Sequence, residues 1–131
     1  MTQLITFDSE AWGVASETAN PINPIAGQGL LSWLREQLVA AGYEATDPEP
    51  EDWGWYLVAK RGDASYLIGA SSDVATAMPR EWTVQIHRQR SLSDRLLGRN
   101  KLQAGDPLMS AVEEWIRAHP RTRNVRVDRT E

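Results

Sequence analysis

The chain has 131 residues and no cysteine, with 41% hydrophobic residues, 24% charged residues and a formal net charge of −4. This length predicts a single domain, and the composition excludes a disordered tail, a collagen-like repeat and a long coiled coil. The absence of cysteine excludes a disulfide framework and thiolate zinc sites. The charge is split, because residues 1–55 contain nine acidic residues and one basic residue, whereas residues 56–131 contain nine acidic and thirteen basic residues.

The sequence shows no signal for export or membrane insertion. Its first residues lack a basic segment followed by a long apolar run, and no stretch approaches the roughly 18 apolar residues of a spanning helix. We therefore expect a cytoplasmic protein that does not associate with membranes.

The N-terminal third contains one clear helix. Apolar alternation predicts a short first strand at residues 3–7, and two Asn-Pro pairs leave residues 8–25 irregular, with an extended piece at residues 12–16 as an alternative. Leucines at helical spacing then predict a helix at residues 27–41, and Gly42 is well placed to end it.

Next comes a predicted β-hairpin, with strands at residues 53–60 and 64–71 joined at Gly62-Asp63 by a type II′ turn. This turn sets the register of the two strands, which pairs Ala59 with Tyr66, Leu57 with Ile68 and Trp55 with Ala70. These six residues share one face of the hairpin, together with Trp53. The opposite face is semi-apolar and carries Tyr56, Val58, Leu67 and Gly69.

The C-terminal half adds a strand, two helices and a final strand. Alternation predicts the strand at residues 81–90, a capping box at Ser91 opens a short helix, and Asp106-Pro107 begins a second helix that ends before Pro120. A last strand is predicted at residues 124–129. The element order indicates a single α+β domain, with a largely antiparallel sheet of about 4–5 strands and two main helices packed on one face.

Motifs for catalysis, metals or cofactors are weak. His87 and His119 are about thirty residues apart and lie in no metal-binding or nucleophile motif, so we predict no catalytic residue, no metal site and no cofactor. The segment Gly27-Gln28-Gly29 lacks the third glycine of a dinucleotide fingerprint and is better explained by helix initiation, although its backbone N–H groups are suited to hold an anion.

The most suggestive feature is an acidic run at residues 47–52 beside aromatic residues. Carboxylates next to ring faces are typical of surfaces that hold cationic partners. The candidate partner-binding residues are Glu49, Glu51, Asp52, Trp53, Trp55 and Tyr56. Two alternatives stay open, a solvated loop followed by core tryptophans, and a small hydrolase that uses Glu51 or Asp52 with His87 or an arginine.

A second charged stretch runs from Arg88 to Lys101. Its candidate basic patch comprises Arg88, Arg90, Arg95 and Arg99, and such a patch is able to contact phosphates. Nucleic-acid binding is nevertheless disfavoured, because the sequence pI is about 5.2 and no nucleic-acid-binding motif is present. The alternative is a solvated face that pairs with the acidic half.

Three segments together resemble a group of small, uncharacterised bacterial proteins that carry a Pro-Glu-Asp-Trp-Gly-Trp segment. The segments span residues 29–34, 48–55 and 90–100, and the resemblance extends from about Gly27 onward. It implies no activity and assigns no catalytic residues. The leading hypothesis is therefore a small cytoplasmic binding module that uses the acidic and aromatic residues, with a protein or a second copy of the chain as its partner.

Overall fold

The computed structural model describes residues 2–12, 17–23, 25–73, 80–98 and 106–130. These residues form eight strands and three helices. In chain order they are β1 (Thr2–Ser9), β2 (Ile25–Ala26), α1 (Gln28–Ala40), β3 (Glu44–Ala45), β4 (Glu49–Glu51), β5 (Gly54–Arg61), β6 (Ala64–Asp73), β7 (Arg80–Gln89), α2 (Leu92–Leu97), α3 (Pro107–Ala118) and β8 (Thr122–Thr130).

The strands form one sheet in the order β3-β5-β6-β7-β1-β8, in which β4 also pairs with β5 and β2 with β6, and every pairing is antiparallel. The mixed fold with an antiparallel sheet is as predicted, but the predicted count of 4–5 strands is wrong. The three additional strands, β2, β3 and β4, are two or three residues long. They exist because they pair with longer strands, and they are too short to show apolar alternation.

The register of the β5–β6 hairpin confirms the prediction. Ala59 pairs with Tyr66, Leu57 with Ile68 and Trp55 with Ala70, around a two-residue turn in which Gly62 has a φ of +61°. A left-handed conformation at the first turn position favours glycine and matches the twist of the flanking strands. From this hairpin the sheet continues through β7 and β1 to the edge strand β8.

One face of the sheet forms the core. Alternate residues of the central strands point to this face, and they pack with the buried side chains of both long helices. The buried helical residues are Leu30, Leu31, Leu34 and Leu38 in α1 and Leu108, Met109, Val112 and Ile116 in α3. The short helix α2 buries no side chain and leaves all three of its leucines exposed. The opposite face, here called the open face, therefore receives no buried side chain from a described helix.

Helix α1 follows a glycine and is capped by a carboxylate from an earlier segment of the chain. Gly27 precedes the helix and offers no side chain, but the two carboxylate oxygens of Glu17 accept hydrogen bonds from the backbone N–H groups of Gly27 (3.1 Å) and Gly29 (2.7 Å). The backbone N–H groups of the glycine segment therefore bind an anionic group, and this group is the carboxylate of Glu17 from the same chain.

The extended piece predicted at residues 12–16 falls mostly outside the described residues. Trp12, which is described, has a φ of +44°, so the backbone turns there instead of continuing as a strand. Among the described helices, none is long and apolar enough to cross a membrane.

Candidate binding surface

The acidic run is an edge strand followed by a pinned turn. Residues Glu49–Glu51 pair with the start of β5, and Pro50 is tolerated there because β4 lies at the edge of the sheet. The side-chain amide of Asn20 donates to the backbone oxygens of Glu51 (3.1 Å) and Gly54 (2.8 Å). The amide of Asn23 donates to the backbone oxygen of Asp52 at 2.6 Å. The carboxylates thus lie on an ordered segment.

The two tryptophans of this segment lie on opposite faces of the sheet. Trp55 is buried in the core, and its indole N–H donates to the backbone oxygen of Ile25 at 3.2 Å. The ring of Trp53 instead covers Gly69 on the open face. The predicted placement of Trp53 on the core face is therefore wrong, because Trp53 belongs to the turn before β5 and does not follow strand alternation. Among the candidate residues, Trp55 is a core residue.

Tyr56 is coupled to the acidic strand. It lies opposite Glu49 in the register, and its hydroxyl donates to a carboxylate oxygen of Glu49 at 3.0 Å. This hydrogen bond and the negative charge of Glu49 raise the pKa of Tyr56 above its usual value. On the same face, Val58 and Leu67 are half-buried. They form an apolar floor beside the tyrosine and Trp53.

Three carboxylates of this segment have no cationic partner among the described residues. Within the described part of the chain, no Lys, Arg or His nitrogen lies within 4 Å of a carboxylate oxygen of Glu49, Glu51 or Asp52. Asp47 differs, because it pairs with Arg35 at 3.5 Å. Glu49, Glu51, Asp52, Trp53 and Tyr56 are hereafter called the acidic–aromatic surface.

His87 does not join these carboxylates. Its ring nitrogens contact the hydroxyl of Thr2 (3.0 Å) and the side-chain oxygen of Gln85 (3.2 Å), and burial lowers its pKa. The register puts Glu51 about 13 Å away from His87 along the strands and about 14 Å away across them, given about 3.3 Å per residue and 4.8 Å per strand. Direct proton transfer needs much closer approach, so this geometry gives no support to the hydrolase hypothesis.

The candidate basic residues have different surroundings. Arg88 lies on the core face, where it pairs with Asp106 at 3.1 Å and is largely buried. Arg90 donates to the backbone oxygen of Asp94 at 3.0 Å, and Arg95 is exposed on α2. Arg99 lies outside the described residues. The charge of Arg88 is thus offset by Asp106, whereas Arg95 is exposed, and the phosphate-binding patch remains a prediction.

Sequence reasoning missed the cluster around Asp106. The buried carboxylate caps α3 by accepting from the N–H of Leu108 (2.9 Å), and it also accepts from the hydroxyl of Tyr66 (2.9 Å) and from Arg88. Burial and the hydrogen bond to Asp106 raise the pKa of Tyr66 far above its usual value, so this phenol is neutral. The sequence indicated that Asp106 caps a helix and that Tyr66 faces the core, but it did not indicate that these two side chains contact each other.

The described residues contain no group of three or more His, Asp or Glu side chains arranged to hold a metal ion. Comparison with known proteins gives no match, because no family model, curated protein or solved structure is significantly similar to this chain. The resemblance to the small bacterial proteins with the Pro-Glu-Asp-Trp-Gly-Trp segment therefore remains a prediction.

Proposed function

We propose that this protein is a small binding module whose acidic–aromatic surface holds a cationic segment of a protein partner. One observation carries the proposal, namely that Glu49, Glu51 and Asp52 have no cationic neighbour among the described residues, although they lie on an ordered edge strand and turn. Unpaired carboxylates on a rigid backbone are available to an incoming cation without a cost for ordering the segment.

The charge distribution favours a different protein over a second copy of the chain. The arginines after Pro120 lie at the opposite edge of the sheet, and each pairs with an acidic residue of the same chain. Arg121 and Arg123 approach Glu10, Arg126 approaches Asp8 and Glu81, and Arg129 approaches Glu113, at 3.1 to 4.0 Å. The arginines of the basic edge thus have carboxylates of the same chain beside them, whereas Glu49, Glu51 and Asp52 have no cationic neighbour in the described part of the chain. This difference favours a cation from another protein over a cation from a second copy of the chain.

The neighbouring side chains suit arginine or lysine. A guanidinium group binds a carboxylate through charge-assisted hydrogen bonds and also packs on the faces of tryptophan and tyrosine rings. Trp53 and Tyr56 lie beside the carboxylates, and Val58 and Leu67 continue the surface as an apolar floor. The surface therefore fits a segment that combines basic residues with apolar ones.

A titration with a defined peptide tests the proposal. The probe is a fluorescently labelled peptide that alternates arginine and leucine, and its binding to the protein is measured by fluorescence anisotropy. The triple variant Glu49→Gln, Glu51→Gln, Asp52→Asn is expected to bind about 3- to 150-fold more weakly than the wild type, since each of three exposed ion pairs contributes about 0.2–1 kcal/mol. An analogous peptide with glutamate in place of arginine is expected not to bind.

The matched control removes the same charge elsewhere on the surface. Glu36, Asp63 and Glu114 are exposed and make no ion pair in the described structure, so their triple neutralisation changes net charge equally. This control is expected to bind like the wild type. Equal weakening in both triple variants indicates attraction by net charge alone and contradicts the proposal, as does the absence of saturable binding by the wild type.

A further inference from the structure

The last strand, β8, leaves one edge of the sheet open to another strand. It is nine residues long, Thr122–Thr130, and no other described strand pairs with its outer side. At the opposite edge, β3 and β4 are two and three residues long, and β4 contains Pro50, which are features that hinder the addition of a strand. The N–H and C=O groups on the outer side of β8 are therefore the longest template for strand pairing among the described strands.

The apolar core ends at this same edge. Val127 lies opposite the buried Ile5, so its side chain faces the core, and Val125 also packs against the core. Both valines are only half-buried, and no described strand lies beyond β8 to cover them. A strand added to β8 would continue the core face past these two side chains.

A bulge limits the regular part of the edge. The pairing of β8 with β1 shifts between Thr6 and Asp8, and Asn124 at this point has a φ of +55°. A bulge disrupts the regular ladder where it occurs. Residues 125–130 are thus the segment of β8 that is suited to pair with a further strand.

This segment carries one charge of each sign on the open face. Arg126 and Asp128 lie opposite Thr6 and Leu4, and both are exposed. No Lys, Arg or His nitrogen of the described residues lies within 4 Å of a carboxylate oxygen of Asp128. Two unlike charges two residues apart on one face make an antiparallel strand able to complement itself.

Only one register of β8 with itself uses this complementarity. A two-fold axis perpendicular to the sheet keeps the core faces together and places one residue opposite its own copy. Centring on Val127 places each Arg126 directly opposite Asp128 of the second copy, and the two Val127 side chains meet on the core face. Centring on Arg126, Asp128 or Arg129 places two like charges opposite each other, which is destabilising. Centring on Val125 brings the bulge into the ladder.

We propose that this protein forms a two-fold symmetric dimer by antiparallel pairing of β8 with β8 of a second copy, centred on Val127. The two sheets then join into one, Asp128 gains a cationic neighbour, and Val127 is covered. One strand from each copy makes a small interface, so the dimer is reversible. The acidic–aromatic surface lies at the other edge of the sheet and stays open to its own partner. The two proposals are thus independent, and failure of one leaves the other standing.

Sedimentation velocity at low ionic strength tests the proposal, with the full chain at concentrations from about 10 µM to about 1 mM, which cover the range of weak complexes. We expect a monomer that converts to a dimer as the concentration rises. In ¹H–¹⁵N NMR over the same range, the amides of residues 125–130 are expected to shift, and those of residues 51–58 are expected to stay unchanged.

Charge-reversal variants test the register. Asp128→Arg places two arginine side chains opposite each other, and Arg126→Asp places two carboxylates there. Each variant is expected to raise the dimer Kd about fourfold or more, because two charge pairs per dimer change from attractive to repulsive. An equimolar mixture of the two variants has unlike charges at both pairs, so it is expected to dimerise more tightly than either variant alone.

Glu36→Arg is the matched control, because it makes the same charge change as Asp128→Arg on an exposed residue of α1, a helix that packs near β3, β5 and β6. It is expected to dimerise like the wild type. If circular dichroism shows that Arg126→Asp is unfolded, the comparison of Asp128→Arg with Glu36→Arg decides alone.

Three results would overturn the proposal. The first is a wild-type chain that stays monomeric at all concentrations, which is also the result expected if a different protein covers β8. The second is an equal dimer Kd for Asp128→Arg and Glu36→Arg. The third is a mixture of two folded charge-reversal variants that dimerises no more tightly than either variant alone.

Discussion

The indole ring of Trp53 lies directly on Gly69, with its Cη2 and Cζ3 atoms 2.5 and 2.6 Å from the position that a Cβ at residue 69 would take. Any other residue at position 69 therefore collides with the ring. The absence of a side chain in β6 is what lets a turn residue before β5 lie flat on the open face. This contact places Trp53 beside Tyr56 and the carboxylates of the β4 edge.

The first prediction concerns this contact. Gly69→Ala is expected to lower the free energy of unfolding by about 1–3 kcal/mol, because the added methyl group overpacks against the indole. In a Trp53→Ala background the same substitution is expected to cost less than about 0.5 kcal/mol, as measured by urea denaturation. An equal cost in both backgrounds contradicts the contact.

The second prediction concerns Asp106. Asp106→Ala removes the cap of α3, the acceptor of the Tyr66 hydroxyl and the carboxylate that pairs with Arg88, so we expect a loss of about 3–5 kcal/mol in the free energy of unfolding. Ser91→Ala removes the cap of the exposed helix α2 and is expected to cost no more than about 1 kcal/mol. Similar costs for the two variants would show that Asp106 acts only as a cap.

The third prediction concerns the distant cap of α1. Glu17→Ala is expected to lower the free energy of unfolding by about 1–2 kcal/mol and to accelerate hydrogen exchange at the Gly29 amide, because among the described residues no other side chain caps this helix. Glu36→Ala removes an exposed glutamate from the middle of the same helix and serves as the control. If exchange at Gly29 is unchanged in Glu17→Ala, the carboxylate is not the cap.

The fourth prediction concerns pH. Burial lowers the pKa of His87 and of His119, and the charge of Arg121 further lowers that of His119. The unfolded chain therefore binds more protons than the folded one below about pH 6.5, so stability is greatest above that value and falls as the pH falls. Thermal unfolding between pH 7.5 and 5.5 is expected to show a declining Tm.

The histidine variants provide the control for this pH effect. His119→Phe keeps a ring against Trp12 and Trp33, and His87→Gln keeps a hydrogen-bonding group beside Thr2. The double variant is expected to have a flatter dependence of Tm on pH in this window. An unchanged slope assigns the pH effect to other groups.

The parts of the fold that repeat a local pattern were predictable from the sequence. The two-residue turn at Gly62-Asp63 gave the register of the hairpin, alternation gave the inward face of β7, and the caps at Ser91 and Asp106 gave the starts of two helices. Each of these features depends on residues close together in the chain. The hairpin prediction also gave the semi-apolar open face correctly.

The remaining features depend on contacts between distant segments. The side on which Trp53 lies follows from the space above Gly69, the cap of α1 comes from a loop ten residues away, and Asp106 meets Tyr66 across forty residues. No periodic pattern of apolar residues in the sequence predicts these contacts. The same holds for the candidate site, where the sequence indicated the residues of the acidic run but not that Glu49, Glu51 and Asp52 have no cationic neighbour in the described part of the chain.

The central claim is that the acidic–aromatic surface binds a cationic segment, and mapping the contact by ¹H–¹⁵N NMR tests it most directly. Titration with the arginine–leucine peptide is expected to shift the amides of residues 49 and 51–58 and the indole N–H of Trp53, and to leave the amides of α3 unchanged. Shifts that spread evenly over the surface, or that concentrate at α2 or α3, would contradict the claim.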